Sequence, residues 1–166
     1  MNQNHSYGIL GQTAPKWEVS SWINENGELD DRIDFGNYIG KKRVLFFFQD
    51  WCQGCHTIGF PALKRLITVL VKNKNIAIFA IQTVFEGQLE NTFDKLLVNQ
   101  KKYALKIPFG HDSGDATTLF ISKTMQHYQT RGTPWFVIID SNGIVVFNDF
   151  HLNSKTAIGY LQSTQD

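Results

Sequence analysis

The chain has 166 residues, of which 42% are hydrophobic and 19% charged, as in ordinary soluble globular proteins. This length suits one domain over residues 1–166, and a domain of this size buries about 70% of the surface that its unfolded chain exposes. The formal net charge is +1, from 16 Lys and Arg against 15 Asp and Glu, so the charge balance does not indicate nucleic acid or an anionic membrane as a partner.

The first predicted elements form a small N-terminal unit. Residues 16–22 (KWEVSSW) alternate polar and apolar side chains, which predicts a short strand. Asn26-Gly27 is a typical turn sequence, so we expect a β-hairpin here. Asp34 is placed to begin a short helical turn that ends at Gly40.

The centre of the chain predicts a strand, a helix and a second strand. Residues 43–49 (RVLFFFQ) and 76–82 (IAIFAIQ) are nearly continuous apolar runs, which favour strands buried on both faces. Between them, four apolar residues at helical spacing predict an amphipathic helix: Leu63, Leu66, Ile67 and Leu70. Pro61 lies inside this pattern and should kink the helix. Strands joined in this way should be parallel, with a right-handed crossover.

The second half of the chain predicts helices, a hairpin and a last helix. The elements before the hairpin are helices over 89–101 and 115–128, with a short strand near 106–110. Residues 135–140 and 144–149 predict antiparallel strands joined by an Asn142-Gly143 turn. Ser154 is the predicted N-cap of a final helix. This order predicts an α/β fold: a mixed central sheet flanked by helices, with an N-terminal β-hairpin and a central helical insertion.

The two cysteines, Cys52 and Cys55, lie three residues apart directly after a predicted strand. A structural disulfide framework would use more cysteines at wider separations, so this pair indicates a redox pair, a haem attachment or half of a metal site. Cys52 is placed at the N-terminus of the next helix, where free N–H groups and the helix dipole favour a thiolate. Cys52 is therefore the predicted nucleophile, and Cys55, one turn further on, the resolving thiol.

Two neighbours of the pair act in opposite directions. Asp50 would oppose a thiolate at Cys52, whereas a protonated His56 would favour it. The sequence leaves open which effect is larger.

These motifs resemble those of the thioredoxin superfamily, and within it the TlpA-like and AhpC/TSA thioredoxin-like group. Four features carry the resemblance, in the order that the family shows: Ala14-Pro15, FFFQDWCQGC at 46–55, Pro61 within the active-site helix, and RGTPWFVIIDSNG at 131–143. The separation of 82 residues between Cys52 and Pro134 exceeds that of minimal thioredoxins and fits members with an inserted helical segment.

The resemblance implies a thioredoxin-like fold and a thiol–disulfide oxidoreductase that exchanges disulfides through Cys52 and Cys55. It also implies that Pro134 follows a cis peptide bond, which is rare elsewhere, and that this proline lies beside the cysteine pair. Trp51, Thr133 and Pro134 are then the residues expected to shape the docking surface for the substrate.

Two positions depart from the family pattern. Thioredoxin-type members commonly carry an acid six residues before the first cysteine, where this chain has Phe46. TlpA-like members often carry a glutamate three residues after the second cysteine, where this chain has Ile58. Glu86, after the second central strand, is a candidate substitute, and the alternative is that it is a solvated loop carboxylate.

Several other functions compete with this interpretation. Cys52 to His56 also matches the C-x-x-C-H haem attachment pattern, but the motif lies between two strong strands. A peroxiredoxin-like thiol peroxidase would need Pro and Thr or Ser where the chain has Leu45 and Gln49. A zinc site lacks a second ligand pair at useful spacing. A binding or chaperone-like module with weak redox activity remains an alternative because both acids are missing.

The sequence also sets expectations for partners and location. We expect a disulfide- or dithiol-bearing protein substrate and a separate redox partner, and neither a cofactor nor a metal, because the cysteine pair itself carries two electrons. We expect a monomer. We also expect no membrane span, since no apolar run reaches about 18 residues. The N-terminus lacks the pattern of a secretory signal, which predicts the cytoplasm, or the periplasm if an export signal had been removed.

Overall fold

The computed structural model of the protein describes residues 8–164. The strands are β1 Ser21–Ile23, β2 Lys42–Phe48, β3 Ile76–Thr83, β4 Phe109–Asp112, β5 Trp135–Ile139 and β6 Val145–Asp149. The α-helices are α1 Phe60–Leu70, α2 Lys95–Lys102, α3 Lys123–His127 and α4 Ser154–Gln162. A π-helical turn, Cys55–Gly59, precedes α1, and two short 3-10 turns lie at Phe35–Tyr38 and Ala116–Thr118.

The six strands form one mixed sheet in the order β1-β4-β3-β2-β5-β6. Strands β2, β3 and β4 run parallel to one another. β5 is antiparallel to β2, β6 to β5, and β1 to β4. The predicted mixed sheet, the parallel β2-α1-β3 unit and the β5-β6 hairpin are confirmed.

Side chains alternate between the two faces of β2, so that this strand contributes to two cores. Phe46 and Phe48 pack on one face with α1 and α4. Leu45 and Phe47 pack on the other face, against residues that include Trp17. Every residue of β2 is buried, which agrees with a central strand covered on both sides.

Strand directions explain why distant parts of the chain meet at one edge of the sheet. The carboxyl ends of the parallel strands β2, β3 and β4 lie at the same edge. Because β5 runs antiparallel to β2, with Trp135 opposite Phe47, its amino end lies there too. Residues that follow Phe48 and residues that precede Trp135 are therefore neighbours.

The N-terminal hairpin is present but shorter than predicted. The Asn24–Glu28 turn closes as expected, but the hairpin is limited to one bridge, between Ile23 and Leu29. The strand is also shorter than the predicted 16–22, because Trp17 packs into the core instead of joining a ladder. The backbone of β1 pairs with β4.

The central insertion contains less helix than predicted. α2 begins six residues later than the predicted start at 89. The predicted helix over 115–128 divides into a 3-10 turn and α3, because Leu119 and Phe120 adopt positive φ angles (54° and 58°) and Ser122 caps a new helix.

Two helix starts also differ from the sequence-based positions. Pro61 lies in the first turn of α1. In place of the predicted kink, a π-helical turn precedes the proline, because proline has no N–H to donate to the helix. The N-cap of α4 is Asn153, not Ser154, and its side chain accepts a hydrogen bond from Thr156 N–H. No helix within residues 8–164 has the length and apolar character to cross a membrane.

Candidate active site

The two cysteines lie where the chain passes from β2 into the first helix. Residues from Gln53 onwards are helical, so Cys52 occupies the N-cap position. Its sulfur accepts a hydrogen bond from the backbone N–H of Cys55 (3.2 Å). The first turn of a helix presents unpaired N–H groups and the positive end of the helix dipole, so this position favours a negatively charged sulfur.

The two sulfurs are in contact but have different surroundings. They lie 2.6 Å apart, and both belong to free thiols. Cys52 is partly exposed, whereas Cys55 is fully buried. The hydrogen bond from the Cys55 thiol lowers the pKa of Cys52 to about 6, with smaller contributions from Thr133, the Cys55 N–H and the charge of His56, and it outweighs burial. Burial and the adjacent Cys52 sulfur raise the pKa of Cys55.

Four buried phenylalanine side chains belong to the same apolar core as Cys55. This phenylalanine floor consists of Phe46, Phe48, Phe60 and Phe136, which are almost fully buried and share one core with Cys55. The ring centroid of Phe46 lies 5.0 Å from that of Phe60 and 4.8 Å from that of Phe136. Apolar surroundings of this kind disfavour a charged sulfur.

The turn before β5 forms the other side of the site. The Thr133–Pro134 peptide bond is cis, and the Thr133 carbonyl oxygen lies 3.5 Å from the Cys52 sulfur. A Cβ on Gly54 would lie 3.3 Å from Pro134 Cδ, and one on Gly59 would lie 2.9 Å from Pro134 Cβ. The structure therefore places Pro134 beside the start of the cysteine helix, as the resemblance implied.

Trp51 is the large apolar side chain next to the reactive sulfur. Its side chain is half exposed (50%), and its indole N–H lies close to Gly87, where an added Cβ would come within 3.1 Å of Nε1. Trp51, Cys52, Thr133 and Pro134 together form what we call the mouth of the site. Trp51 adjoins Cys52 in sequence and Thr133 adjoins it in space, and the role of these residues in substrate docking stays a prediction.

His56 is held by hydrogen bonds at both ring nitrogens. Nε2 contacts the backbone oxygen of Asp50, and Nδ1 contacts the hydroxyl of Tyr103. Because a carbonyl oxygen can only accept, Nε2 carries a proton in either charge state. In the neutral ring Nδ1 accepts from Tyr103, and in the cation it donates to the same hydroxyl. Protonation of His56 therefore breaks neither hydrogen bond.

The negative charge of Asp50 is compensated by α2. Its carboxylate lies 2.9 Å from Lys95 Nζ and accepts a hydrogen bond of 2.8 Å from Asn99 Nδ2. Burial acts to raise the pKa of Asp50, but these bonds outweigh it and lower the pKa. The repulsion expected between Asp50 and a Cys52 thiolate is thereby reduced.

Among residues 8–164, no acid forms a hydrogen bond with Cys52 or Cys55 in place of the family acids. Phe46 is fully buried in the floor, and the side chain of Ile58 is 54% exposed. Glu86 lies exposed on the loop after β3, as a solvated carboxylate would. Within residues 8–164, His, Cys, Asp and Glu side chains form no group of three or more that could hold a metal ion.

Sequence reasoning missed the residues of α2 that support the site. Lys95 and Asn99 are four apart, so that they share one face of a helix, and this spacing was the available signal. Tyr103 caps the C-terminal end of α2 and lies 47 residues from His56 in sequence. No local pattern links Tyr103 to the cysteine motif.

Comparisons with known proteins agree with this architecture. A family model described as thioredoxin-like matches residues 40–145, which include β2, the cysteine pair and β5. A search of curated proteins gave no match.

Solved structures of similar architecture cover nearly the whole chain. The thioredoxin-like superfamily protein SPOA0173 is 29% identical, covers 89% of this chain and 92% of its own, and has a TM-score of 0.74. A thiol-disulfide isomerase from Corynebacterium glutamicum is 25% identical, with 92% and 98% coverage and a TM-score of 0.75. A thiol-disulfide oxidoreductase from Bacteroides fragilis shares the fold at 23% identity, with 88% and 96% coverage and a TM-score of 0.62.

Proposed function

Because the chain belongs to the thioredoxin-like family, we propose that it is a thiol–disulfide oxidoreductase that uses Cys52 as nucleophile and Cys55 as resolving thiol. The observation that carries this proposal is the contact between two free sulfurs 2.6 Å apart at a helix N-terminus, one partly exposed and one buried. The similarity to a solved thiol-disulfide isomerase at 25% identity supports the same reaction class.

The reaction begins at the exposed sulfur. With a pKa of about 6, Cys52 is largely a thiolate at neutral pH, and the thiolate is the nucleophilic form. Cys52 attacks one sulfur of a substrate disulfide, forms a mixed disulfide, and releases the other substrate sulfur as a thiolate. Cys55 then attacks the Cys52 sulfur, which releases the second substrate thiol and leaves a Cys52–Cys55 disulfide.

A protein disulfide is the substrate that best suits the mouth of the site. Trp51 offers an exposed apolar surface beside Cys52. The Thr133 peptide group, 3.5 Å from the reactive sulfur, offers hydrogen-bonding groups to an extended substrate backbone. A separate redox partner would restore the dithiol or the disulfide after each turnover.

Reduction of insulin by dithiothreitol, followed as turbidity, tests the proposal. We expect the wild-type protein to accelerate the reaction and Cys52→Ser to lose all acceleration, because a hydroxyl at residue 52 cannot form the mixed disulfide. Circular dichroism of Cys52→Ser should match the wild type, since Cys52 is only partly buried. Equal rates for the two proteins would overturn the proposal.

The second candidate is a binding module of the same fold with weak redox activity. The observation that favours it is Phe46, which is fully buried at the position where thioredoxin-type members commonly carry an acid. This alternative would be supported if the wild-type protein did not accelerate insulin reduction and if the wild type and Cys52→Ser bound a reduced, unfolded polypeptide with equal affinity.

A further inference from the structure

A cleft lies at the edge of the sheet opposite to the cysteines, where the parallel strands β2 and β3 begin. We call it the amino-edge cleft. Its lining comes from Glu25, Tyr38 and Lys41, the end of α1 with the turn after it, the first residues of β3, and residues 106–108. Its volume of about 390 Å³ is in the range of pockets that hold ligands. The cleft shares no residue with the mouth or the phenylalanine floor.

One edge of β3 is unpaired where it borders the cleft. β3 pairs with β2 from Ile76 onwards, but its pairing with β4 begins only at Ala80, whose N–H donates to the Pro108 carbonyl oxygen (3.1 Å). Backbone groups of alternate residues in a parallel strand point to the same side, so those of Ile76 and Ile78 also face β4. Proline has no N–H to offer the Ile78 carbonyl, and the ladder ends there.

The unpaired edge leaves backbone groups without hydrogen bonds. Among residues 8–164, no group bonds to the Ile78 N–H, the Ile78 carbonyl or the Ile76 carbonyl on this side. Ile78 is buried, and unpaired backbone groups in buried positions cost free energy. A single extended residue could pair with two of them, since its N–H would donate to the Ile76 carbonyl and its carbonyl would accept from the Ile78 N–H.

The base of the cleft is apolar. Ile67 and Leu70 at the end of α1 and Ile78 and Ile107 beside them are buried members of one core. Val71 continues this surface to the rim, where its side chain is 61% exposed. An apolar side chain placed on this base would lose contact with water, which favours its binding.

The rim of the cleft is positively charged. It carries Lys41, Lys74 and Lys106 against one acid, Glu25. Lys74 and Lys106 are exposed, and none of the three lysines forms an ion pair with any residue from 8 to 164. This excess is local, because the formal net charge of the chain is only +1. The rim therefore favours an anionic group on the ligand.

We propose that the amino-edge cleft binds the C-terminal residue of a partner polypeptide, an apolar residue with a free carboxylate. Its N–H pairs with the Ile76 carbonyl, one carboxylate oxygen accepts from the Ile78 N–H, and the lysines balance the charge. Its side chain rests on the apolar base. This site goes beyond the proposed function, because it uses neither cysteine and lies at the other end of the sheet.

Titration of the isotope-labelled protein with an acetylated hexapeptide of glycine and serine that ends in leucine tests the proposal by amide NMR. We expect the Ile78 amide resonance to move downfield as its N–H gains an acceptor. Amidation of the peptide C-terminus should weaken binding about tenfold, because it removes a hydrogen bond to a charged group. Replacement of the final leucine by serine should also cost about tenfold, through lost apolar burial. Equal affinity for acid and amide, or an unmoved Ile78 resonance, would overturn the proposal.

Octanoate separates a peptide from a fatty acid as the occupant. It has a carboxylate and an apolar chain but no N–H for the Ile76 carbonyl. We expect it to bind about fivefold more weakly than the leucine peptide, because one hydrogen bond is missing. Octanoate that bound as tightly as the peptide would identify the cleft as a fatty-acid site and contradict the assignment to a polypeptide.

Charge variants locate the binding in the cleft. The double variant Lys74→Gln with Lys106→Gln should lose about tenfold in affinity for the leucine peptide at low salt, where surface charges are least screened. Lys64→Gln with Lys155→Gln is the control, because it removes the same charge from exposed residues outside the cleft. Equal affinity of the two double variants would show that the rim does not hold the carboxylate, and would overturn the proposal.

The cysteine variant keeps this site and the proposed function apart. Cys52→Ser should bind the leucine peptide with wild-type affinity, because the mouth lies at the opposite edge of the sheet. Failure of the peptide to bind the wild type would remove the amino-edge cleft as a site and leave thiol–disulfide exchange unaffected. Failure of the wild type to reduce insulin would do the reverse.

Discussion

The mouth of the site and the floor shift the pKa values of two identical side chains in opposite directions. At the mouth, Cys52 receives hydrogen bonds from the Cys55 thiol and N–H, lies near Thr133 and is partly exposed. At the floor, Cys55 is fully buried in the core that it shares with the four phenylalanines. The comparison shows that loop ends and a helix N-terminus set the reactivity of the first sulfur, whereas the core holds the second sulfur in its protonated form.

Phe46→Ala should have the largest effect on stability among changes at the site. The side chain is fully buried between Phe60 and Phe136, and truncation of a buried phenylalanine costs about 3–5 kcal/mol. Urea denaturation of the oxidised protein would measure this loss.

The matched change at the mouth is Trp51→Ala. Because half of the Trp51 surface is exposed, we expect its free energy of unfolding to change by less than about 1.5 kcal/mol. Equal destabilisation by the two substitutions would remove the distinction between mouth and floor.

Gly59→Ala should disturb the contact between floor and mouth. The added methyl carbon would lie 2.7 Å from Phe46 Cζ and 2.9 Å from Pro134 Cβ, and overpacking of this kind costs about 1–3 kcal/mol. Thermal unfolding measures the effect. Gly159→Ala on α4 is the control, because no atom lies within 4 Å of the added carbon, and stability there should hold or increase.

Cys55→Ala should raise the pKa of Cys52. The hydrogen bond from the Cys55 thiol is the largest cause of the lowered value of about 6, so that its removal should shift the pKa towards the free thiol value of about 8.5. The protein would then be less ionised at Cys52 at pH 7 than the wild type. Absorbance at 240 nm during a pH titration reports the thiolate, and an unchanged pKa would show that the floor does not act on the mouth.

Tyr103→Phe should produce a smaller rise in the same pKa. The Tyr103 hydroxyl holds Nδ1 of His56, and the charge of His56 is the smallest of the causes that lower the Cys52 value. The same absorbance titration measures it. Tyr38→Phe, on the opposite face of the sheet, is the control. If Tyr103→Phe raised the pKa of Cys52 as much as Cys55→Ala does, the order of these effects would be contradicted.

Local patterns in the sequence predicted the framework that positions the site. The apolar runs of β2 and β3 and the Asn142-Gly143 turn are decided by neighbours in sequence, and all three are present in the structure. The meeting of Cys52 and Pro134 was available only through the family resemblance, because no local rule joins residues 82 apart.

The contacts that sequence reasoning missed depend on how α2 packs. Lys95 reaches Asp50 and Tyr103 reaches His56 only after α2 has docked beside the cysteine helix. The division of residues 115–128 was missed for a different reason. Left-handed backbone at Leu119 and Phe120 is unusual for such side chains, and residue type does not predict it.

Alkylation of the reduced protein by iodoacetamide, mapped to each cysteine by mass spectrometry over pH 5 to 9, tests the central claim most directly. The alkylation rates of the two cysteines should differ completely. Cys52 should react at half its maximal rate near pH 6, in line with its lowered pKa, while buried Cys55 stays unmodified. Modification of Cys55 at a rate equal to that of Cys52, or half-maximal reaction of Cys52 near the free thiol value of about 8.5, would contradict the account.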